Sequence, residues 1–320
     1  MSKQIVLQDV ISAALNNQRL DSAIAQLFKE YSRSQLQEWI QQGFVKLDNK
    51  IVLKNNLAVK ENQTVLIEAT LADTERFEAQ SIPLNIIYED ADIIVINKPV
   101  GLVVHPGAGN PDQTLVNALL HYDSALSAVP RAGIIHRIDK DTSGLLVIAK
   151  NLIAHHALIK QMQKHEINRH YQALVQGNLI SGGTIDEPIG RHPAHRTKMA
   201  VLQSGRESIT HYRILERFHA HTLLDIELET GRTHQIRVHL SHKQYPIVGD
   251  KTYLMRTHHS KGLSQEAQLA VHAFSHQALH AYKLSFKHPI TKELLELTAP
   301  LPQDFLELLM ILRRDTNIEQ

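Results

Sequence analysis

The sequence predicts an α+β protein of two domains, and three observations support this prediction. The chain has 320 residues, a length at which single hydrophobic cores usually give way to separate domains. An acidic segment at residues 69–82, without a long apolar run and ending at Pro83, interrupts the chain. Beyond this segment, runs rich in Val, Ile and Leu alternate with stretches of helical periodicity, as in a sheet decorated by helices. We therefore place domain one at residues 1–75 and domain two at residues 76–320.

Domain one is predicted to contain two helices followed by a hairpin. One helix carries its apolar residues on a single face, at Leu20, Ile24, Leu27 and Phe28. A second helix does the same with Leu36, Trp39 and Ile40. Gly43 is expected to end that helix, and the turn pair Asp48-Asn49, which tolerates positive φ angles, separates two alternating runs and predicts a β-hairpin.

Domain two is predicted to alternate strands with helices. Apolar runs predict strands at residues 92–96, 133–135, 145–149, 173–176 and 223–228. Helical periodicity predicts helices at residues 115–121, 153–165 and 233–241. We expect Thr233 to cap the last of these helices, and residues 254–272 to form a polar surface insertion.

The composition excludes several classes of function. The chain has no cysteine, which excludes a disulfide scaffold, thiolate metal sites, iron–sulfur clusters and a cysteine nucleophile. No stretch approaches the roughly 18 apolar residues of a membrane span, so we expect a soluble, cytoplasmic protein without a membrane partner.

The spacing of the glycine and histidine residues also does not match nucleotide-binding or metal-binding motifs. After Gly107 and Gly109, Asp112 stands where a dinucleotide fingerprint needs its third glycine, and no phosphate-cradling loop motif occurs. His165 and His170 are five residues apart and cannot share a helix face as zinc ligands do. The expectation is therefore no nucleotide cofactor, no other cofactor and no metal.

Basic residues concentrate in two segments. Residues 130–240 carry 15 basic and 10 acidic side chains, and ten of the basic ones are arginine, whose planar fork suits phosphate and base edges. Residues 18–60 carry seven basic and four acidic side chains, including Arg33 at the start of the second helix, a position that suits phosphate. An exposed face of mixed charge is the alternative interpretation.

Two polar segments could carry chemistry. Residues 136–144, HRIDKDTSG, lie between apolar strands, where scaffolds often mount reactive groups. A plain turn is the alternative, and a calcium loop fails because Lys150 stands where a bidentate Glu is needed. In GRTHQIRVHL at residues 231–240, Arg237 is either an exposed helix cation or a buried one that requires a carboxylate partner, for which we nominate Asp139.

These residues resemble a known family. HRIDKDTSG is similar to the HRLDxxTSG signature of the RluA-type pseudouridine synthases, with Ile138 as a conservative change. Further matching segments follow in the family's order: Asn97-Lys98-Pro99 with Gly101, Tyr171 in HYQALVQG, Arg191-His192-Pro193, GRTHQIRVHL and Pro246-Ile247-Val248-Gly249-Asp250. Residues 18–67 resemble an S4-type RNA-binding domain. The chain departs from the family at Arg169, where lysine is usual, and at Arg206 and Tyr245.

The resemblance implies a fold and an activity. The fold would be an S4-like α/β RNA-binding domain (core 18–67) followed by a catalytic domain with a mixed, mostly antiparallel sheet flanked by helices. The activity would be isomerisation of uridine to pseudouridine in RNA. Asp139 would act as nucleophile or sugar-side base, Tyr171 would stack on the base and assist proton removal from C5, and Arg237 would pair with Asp139 and favour its ionised form.

The resemblance also nominates residues that bind the RNA substrate. These residues are Arg33, His136, Arg137, Thr142, Arg196, Lys198, Arg232, His234 and Gln235. Arg137 could fill the space left by a uridine flipped out of folded RNA.

The implied partner is large-subunit (23S) rRNA or a pre-ribosomal subunit, with a hairpin loop, helix 69, as the expected target and a monomer as the expected state. Two alternatives stay open. One is a related synthase that modifies another rRNA or tRNA site, and the other is an RNA-binding assembly factor with an idle catalytic domain.

Overall fold

The computed structural model describes residues 3–28, 31, 33–71, 77–107, 109–195, 197–254 and 262–317. The chain divides into two compact units, 1–76 and 77–320. No helix within the described ranges has the length and apolar character needed to span a membrane.

The N-terminal unit is a four-stranded antiparallel sheet with two helices. Its elements are β1 (Lys3–Val10), α1 (Leu20–Leu27), α2 (Arg33–Gln41), β2 (Val45–Leu47), β3 (Lys50–Ile51) and β4 (Thr64–Leu71), with strand order β1-β4-β2-β3. Both predicted helices are confirmed, and the side chains of Leu20, Ile24, Leu36 and Ile40 are fully buried against the sheet residues of the same core. The predicted hairpin is confirmed as well, since Asp48 and Asn49 both adopt positive φ between β2 and β3.

The predicted interdomain linker began too early. β4 continues to Leu71, which pairs with Lys3 of β1, so residues 69–71 belong to the sheet. Strand β1 was not predicted from the sequence. Without β1 as a pairing partner, the sequence of residues 69–71 gives no indication that β4 extends this far. Residues 72–76 of the predicted linker lie outside the described residues.

The C-terminal unit is built on a large mixed sheet. Its elements are β5 (Ile86–Glu89), β6 (Ile93–Lys98), α3 (Leu115–Tyr122), β7 (Ser143–Ala149), α4 (Leu152–Gln163), β8 (Asn168–Gln176), β9 (Gly183–Asp186), β10 (Ile189–Arg191), β11 (Met199–Val201), β12 (Ile209–Arg217), β13 (His221–Leu228), α5 (Gln235–His242), α6 (Gln265–Ala273), β14 (Leu279–Lys287), β15 (Leu294–Thr298) and α7 (Gln303–Asn317).

The main sheet is mixed and mostly antiparallel, as expected. The order is β5-β6-β7-β14-β8-β13-β12-β9, with β15 beside β14 and a separate β10-β11 pair. Only β14 and β7 run parallel among these pairs. Residues of β6 alternate between two apolar cores, with Ile94 and Ile96 on one face and Ile93 and Val95 on the other. Because β6 and β7 are buried on both faces, their sequences have apolar residues at successive positions.

Two local predictions in this unit were wrong. Residues 133–135 form no strand: Pro130–Gly133 is a short 3-10 segment, and Ile134 makes only an isolated bridge to Ile148. Gly133 approaches β7 so closely that a Cβ there would lie 1.9 Å from the Ala149 carbonyl oxygen. A periodicity argument cannot detect such a close backbone approach.

The second error concerns the start of α5, whereas the described part of the predicted polar insertion is mostly exposed, as expected. His234, in a left-handed conformation (φ 58°), precedes α5 where Thr233 was expected to be the cap. Residues 265–273 form helix α6, with Ala267 fully buried and Ser264 capping its start. Residues 255–261 of the predicted insertion lie outside the described residues.

Candidate active site

A cavity of about 860 Å³ opens where the loop before β7, strand β8 and the start of α5 meet. Asp139 of the loop, Tyr171 of β8 and Arg237 of α5 all line it. The three residues predicted to be catalytic are therefore brought together, although 98 positions separate Asp139 from Arg237 in the chain.

The predicted contact between Asp139 and Arg237 is present. Arg237 Nη1 donates to Asp139 Oδ2 at 2.8 Å. The Arg237 side chain is 4% exposed and that of Asp139 is 17% exposed. The guanidinium is thus buried behind the carboxylate, and the carboxylate reaches the cavity.

Asp250 holds the other side of the same guanidinium. Arg237 Nε donates to Asp250 Oδ2 at 2.7 Å and Nη2 donates to Oδ1 at 2.9 Å, a bidentate pair with a fully buried acid. The backbone N–H groups of Thr252 and Tyr253 also donate to Asp250. Burial alone would lower the pKa of Arg237, but the bonds to Asp250 and Asp139 outweigh it and raise this pKa. The guanidinium of Arg237 is therefore protonated and held in one orientation.

Lys98 holds the loop that carries Asp139 by hydrogen bonds to backbone carbonyl groups. The fully buried Nζ of Lys98 donates to the carbonyls of Pro99, Leu102 and Lys140 at 2.7 to 3.0 Å. Burial lowers the pKa of Lys98 to about 7, against the opposing influence of Asp141 and Asp139. This lysine fixes the backbone immediately after Asp139.

Gln277 joins the loop to the guanidinium. With its amide oriented so that every neighbour is satisfied, its oxygen accepts from Arg237 Nη2 at 3.0 Å and its nitrogen donates to Thr142 Oγ1 and to the Asp141 carbonyl, each at 3.2 Å. Gln277 thereby couples the position of Arg237 to the loop that carries Asp139.

Tyr171 and His234 line the same cavity as the carboxylate of Asp139. Tyr171 is buried, and burial raises the pKa of its phenol, so the side chain is neutral near pH 7. His234 Nε2 lies 3.9 Å from Asp139 Oδ1, while its Nδ1 is 2.8 Å from the Tyr253 hydroxyl. Burial lowers the pKa of His234 despite Asp139. The neighbours of the carboxylate, apart from Arg237, are therefore mainly neutral.

Of the residues predicted to bind RNA, six line the cavity: His136, Arg137, Thr142, Arg232, His234 and Gln235. Arg137 is exposed, and Arg232 is half-buried with its Nε donating to the Glu207 carbonyl. His136 is neutral, since burial and nearby Arg169 lower its pKa to about 3.

The polar atoms of Thr142 and Gln235 serve the protein itself. Thr142 is buried and bonded to Gln277. The Gln235 amide bonds to Thr230, to the Arg232 backbone, to the Ile209 carbonyl and to Thr210. These contacts support the loop and the start of α5, and the expected role of both residues in substrate binding stays a prediction.

The remaining three predicted residues lie elsewhere. Arg33 is in the N-terminal unit, half-exposed and bonded to Asp21. Lys198 is half-buried beside β11 and does not line the cavity. Arg196 lies outside the described residues.

Sequence reasoning missed Asp250, Gln277 and Tyr253 as parts of this site. One signal was available for a second acid: a cation in the first turn of a helix opposes the helix dipole, so Arg237 needed strong partners. A second signal was the matching segment Pro246-Ile247-Val248-Gly249-Asp250, which contains this acid, whereas nothing in the local sequence distinguishes Gln277 from other polar loop residues.

A second cluster of potential metal ligands lies outside the cavity. Asp90, Asp92 and His288 are the one such group within the described parts of the chain. His288 Nδ1 accepts from the backbone N–H groups of Ile290 and Thr291, which places its proton on Nε2, 3.0 Å from Asp90 Oδ2. In this structure the imidazole of His288 therefore lies against the carboxylate of Asp90.

Comparisons with protein families match both units. Residues 92–242 match the RNA pseudouridylate synthase family, and residues 18–65 match the S4 domain. The first match contains Asp139, Tyr171 and Arg237, while Asp250 and Gln277 lie beyond its end.

Curated relatives and solved structures agree with these matches. The chain is 50% identical over 99% of its length to ribosomal large subunit pseudouridine synthase D of Vibrio parahaemolyticus, covering 98% of that protein. It is 49% identical over 98% of its length to the Escherichia coli K12 protein of the same name, covering 97% of it. The structure of human RNA Pseudouridylate Synthase Domain Containing 4 matches with a TM-score of 0.56 and 26% identity, over 72% of this chain and 93% of that one.

Proposed function

Because the chain belongs to the RNA pseudouridylate synthase family, we propose that it converts specific uridines of large-subunit ribosomal RNA to pseudouridine. The relatives that match over almost the whole chain are named for this subunit. The observation that carries the proposal is the carboxylate of Asp139, which is presented to a cavity by a buried guanidinium that is itself held by Asp250.

The reaction needs such a carboxylate. The bond between C1′ and N1 of uridine must break, the base must turn, and C5 must then bond to C1′. Asp139 would either attack C1′ or remove the C2′ proton, and both routes need an oriented anion beside the sugar. Arg237 would orient it. A neutral phenol is a poor base, so of the two roles expected for Tyr171 we retain stacking on the base.

The isomerisation transfers no electrons to an outside acceptor and adds no external group, so the proposed reaction needs no redox cofactor and no nucleotide. We further propose that residues 1–75 form the RNA-binding domain and residues 76–320 the catalytic domain. The match of residues 18–65 to the S4 domain supports this division. The finer proposals are a monomer that acts in the cytoplasm on the loop of helix 69.

One complementation experiment tests both chemistry and substrate. Pseudouridines are mapped in rRNA and tRNA from cells that lack the protein and from the same cells supplied with wild type, Asp139→Asn or Asp141→Asn. Asp141 is the matched control, because it lies two residues away in the same loop and makes no ion pair with Arg237. Wild type and Asp141→Asn should restore pseudouridine in the helix 69 loop.

Asp139→Asn should restore none, and in vitro its rate should fall about 10⁴-fold or more while RNA affinity stays within a few-fold. Normal modification by Asp139→Asn would end the role of this carboxylate. Loss of pseudouridine only at another rRNA or tRNA site would identify a different substrate, and no loss anywhere would point to an assembly factor.

A further inference from the structure

Arg169 is a second arginine of the active-site cavity. It lies on β8 two residues before Tyr171, so both side chains project from the same face of the strand. Arg169 is 7% exposed and lines the cavity together with Tyr171 and Asp139. Its position is far enough inside the protein that the environment, not solvent, must satisfy its charge.

That environment does not neutralise Arg169. No carboxylate forms an ion pair with it among the residues that the structure describes, and its buried Nε has no hydrogen-bond partner there. Nη2 makes only long contacts, 3.5 Å to the Leu228 carbonyl and 3.3 Å to the Thr230 carbonyl. Burial lowers the pKa of Arg169, yet a guanidinium remains protonated in proteins.

The contrast with Arg237 in the same cavity is direct. Arg237 is equally buried but bonds two carboxylates, Asp139 and Asp250. Burying a cation without a partner is costly, and such a group usually persists where it is used.

The surroundings of Arg169 keep its charge uncompensated. His136 and Tyr171 next to it are both neutral. Gly231 leaves the room that the guanidinium occupies, because a Cβ at this position would lie 2.5 Å from Arg169 Nη1. The positive charge of Arg169 and the negative charge of Asp139 therefore both act on the phenol of Tyr171, with opposite effects on its pKa.

We propose that Arg169 binds the carbonyl edge of the target uracil and stabilises the negative charge that the base acquires when it leaves C1′. This proposal rests on the proposed function. When the bond between C1′ and N1 breaks, its electron pair stays with the base and spreads from N1 to the O2 and O4 carbonyls. C1′ then either forms a bond to Asp139 or forms a double bond to C2′, whose proton passes to Asp139.

In the second half of the reaction the charge is consumed. C5 uses an electron pair of the base to bond to C1′, which breaks the bond to Asp139 or returns the C2′ proton from Asp139. C5 then loses its proton to water, and N1 gains a proton from water. Fixed donors aimed at a developing anion in a closed cavity are an effective form of catalysis. A backbone phosphate is a poorer occupant of this position, because Ile134, Met162 and Leu228 also line the cavity and the more exposed Arg137 and Arg232 are better placed for phosphate.

The test compares Arg169→Met, which removes the charge, with Arg169→Lys, which keeps it. On a large-subunit rRNA transcript that wild type modifies, the single-turnover rate of Arg169→Met should fall about 100-fold. The rate of Arg169→Lys should stay within about ten-fold of wild type, and RNA affinity should change less than three-fold in both variants.

Thermal unfolding separates this role from a structural one. Because Arg169→Met removes an unpaired buried charge, its melting temperature should equal or exceed that of wild type. A structural role predicts a lower melting temperature, and failure of both Arg169→Met and Arg169→Gln to fold would overturn the proposal.

A leaving-group measurement gives an independent readout. Fluorine at C5 withdraws electrons and stabilises the base anion. Because it also replaces the C5 proton, the reaction on transcripts containing 5-fluorouridine is followed as single-turnover conversion of the target nucleotide and not as pseudouridine formation. The loss of this rate in Arg169→Met should be clearly smaller than the loss on uridine. An equal loss on both substrates, or a normal rate of Arg169→Met on uridine, would overturn the inference. Absence of pseudouridine formation by wild type would instead overturn the proposed function.

Discussion

Each unit of the chain contains an aspartate that is fully buried and bonded to arginine, and the two clusters present opposite charges. In the N-terminal unit, Asp21 binds Arg19 and Arg33, whose side chains are 56% and 50% exposed. In the C-terminal unit, Asp250 binds Arg237, which is 4% exposed and in turn holds the accessible Asp139. The first cluster displays cations, and the second displays an anion.

The two clusters differ in the number of bonded ionised side chains that lead from the buried aspartate to the accessible group. Asp21 is the base of a two-layer arrangement in which the arginines are the outer layer, suited to phosphate. Asp250 is the base of a three-layer arrangement in which Arg237 is enclosed and the outer layer is a carboxylate. Under the proposed function, the same residue types would therefore serve RNA binding in one unit and acid–base or nucleophilic chemistry in the other.

The largest effect is expected from Asp250→Asn. It leaves Arg237 buried with Asp139 as its one charged partner, so we expect a loss of stability of about 3–5 kcal/mol. We also expect a loss of turnover of at least ~100-fold, because Asp139 is no longer held in position. Urea unfolding followed by circular dichroism and single-turnover kinetics measure these effects.

Asp225→Asn is the matched control for Asp250→Asn. Asp225 is buried, bonds Arg213 at 2.6 Å and does not line the cavity. The control should lose stability while its turnover, measured below its unfolding transition, stays near wild type. Equal losses of turnover in the two variants would show that Asp250 acts only through stability.

An intermediate effect is expected from Asp21→Asn. Burial would raise the pKa of Asp21, but bonds from Arg19, Gln37 and Arg33 outweigh it and lower this pKa to about 2. An acid with a lowered pKa stabilises the fold above its unfolded value near 4, and this stability is lost as the pH falls from about 4 to 2.

Fluorescence of Trp39, the single tryptophan and a buried residue of this unit, reports the unfolding. Wild type should lose stability between pH 4 and 2, and Asp21→Asn should be less stable at pH 7 by about 1–3 kcal/mol with a weaker acid dependence. An unchanged acid dependence would mean that Asp21 does not carry this linkage.

The smallest effect is expected from Arg33→Ala. One lost phosphate contact should weaken RNA binding a few-fold and reduce the slope of log affinity against log salt by about 1. Arg33→Lys keeps the charge and should keep the slope. Filter binding at several salt concentrations measures both, and an unchanged slope in Arg33→Ala would remove Arg33 from the RNA contact.

Local elements were predictable wherever side-chain periodicity or turn chemistry was decisive. Helices α1 and α2 and the hairpin at Asp48-Asn49 followed from spacing within a few residues. The segment at residues 133–135 was not predictable, because its apolar side chains enter the core from a turn that packs against β7. Strand β1 was missed for a related reason, since its partner β4 is more than fifty residues away.

The site was predictable only in part. The sequence and its resemblance to a family singled out Asp139, Tyr171 and Arg237, because a short polar loop, a tyrosine motif and an arginine motif are all local features. The need of a buried guanidinium for a carboxylate also indicated the contact between Asp139 and Arg237. The matching segment that ends at Asp250 gave no role to this acid on the far side of Arg237. No local feature showed that Arg169 lacks an ion-pair partner among the residues that the structure describes.

From the order of its residues alone, the chain specifies which segments become helices, strands and turns, and which motifs relate it to a family. Those properties depend on neighbours a few positions apart. The partners of each buried charge depend instead on strand order and register, which bring together residues such as 139, 237 and 250 from distant segments. Folding therefore determines that Arg237 bonds two carboxylates, whereas Arg169 in the same cavity has no ion-pair partner among the described residues.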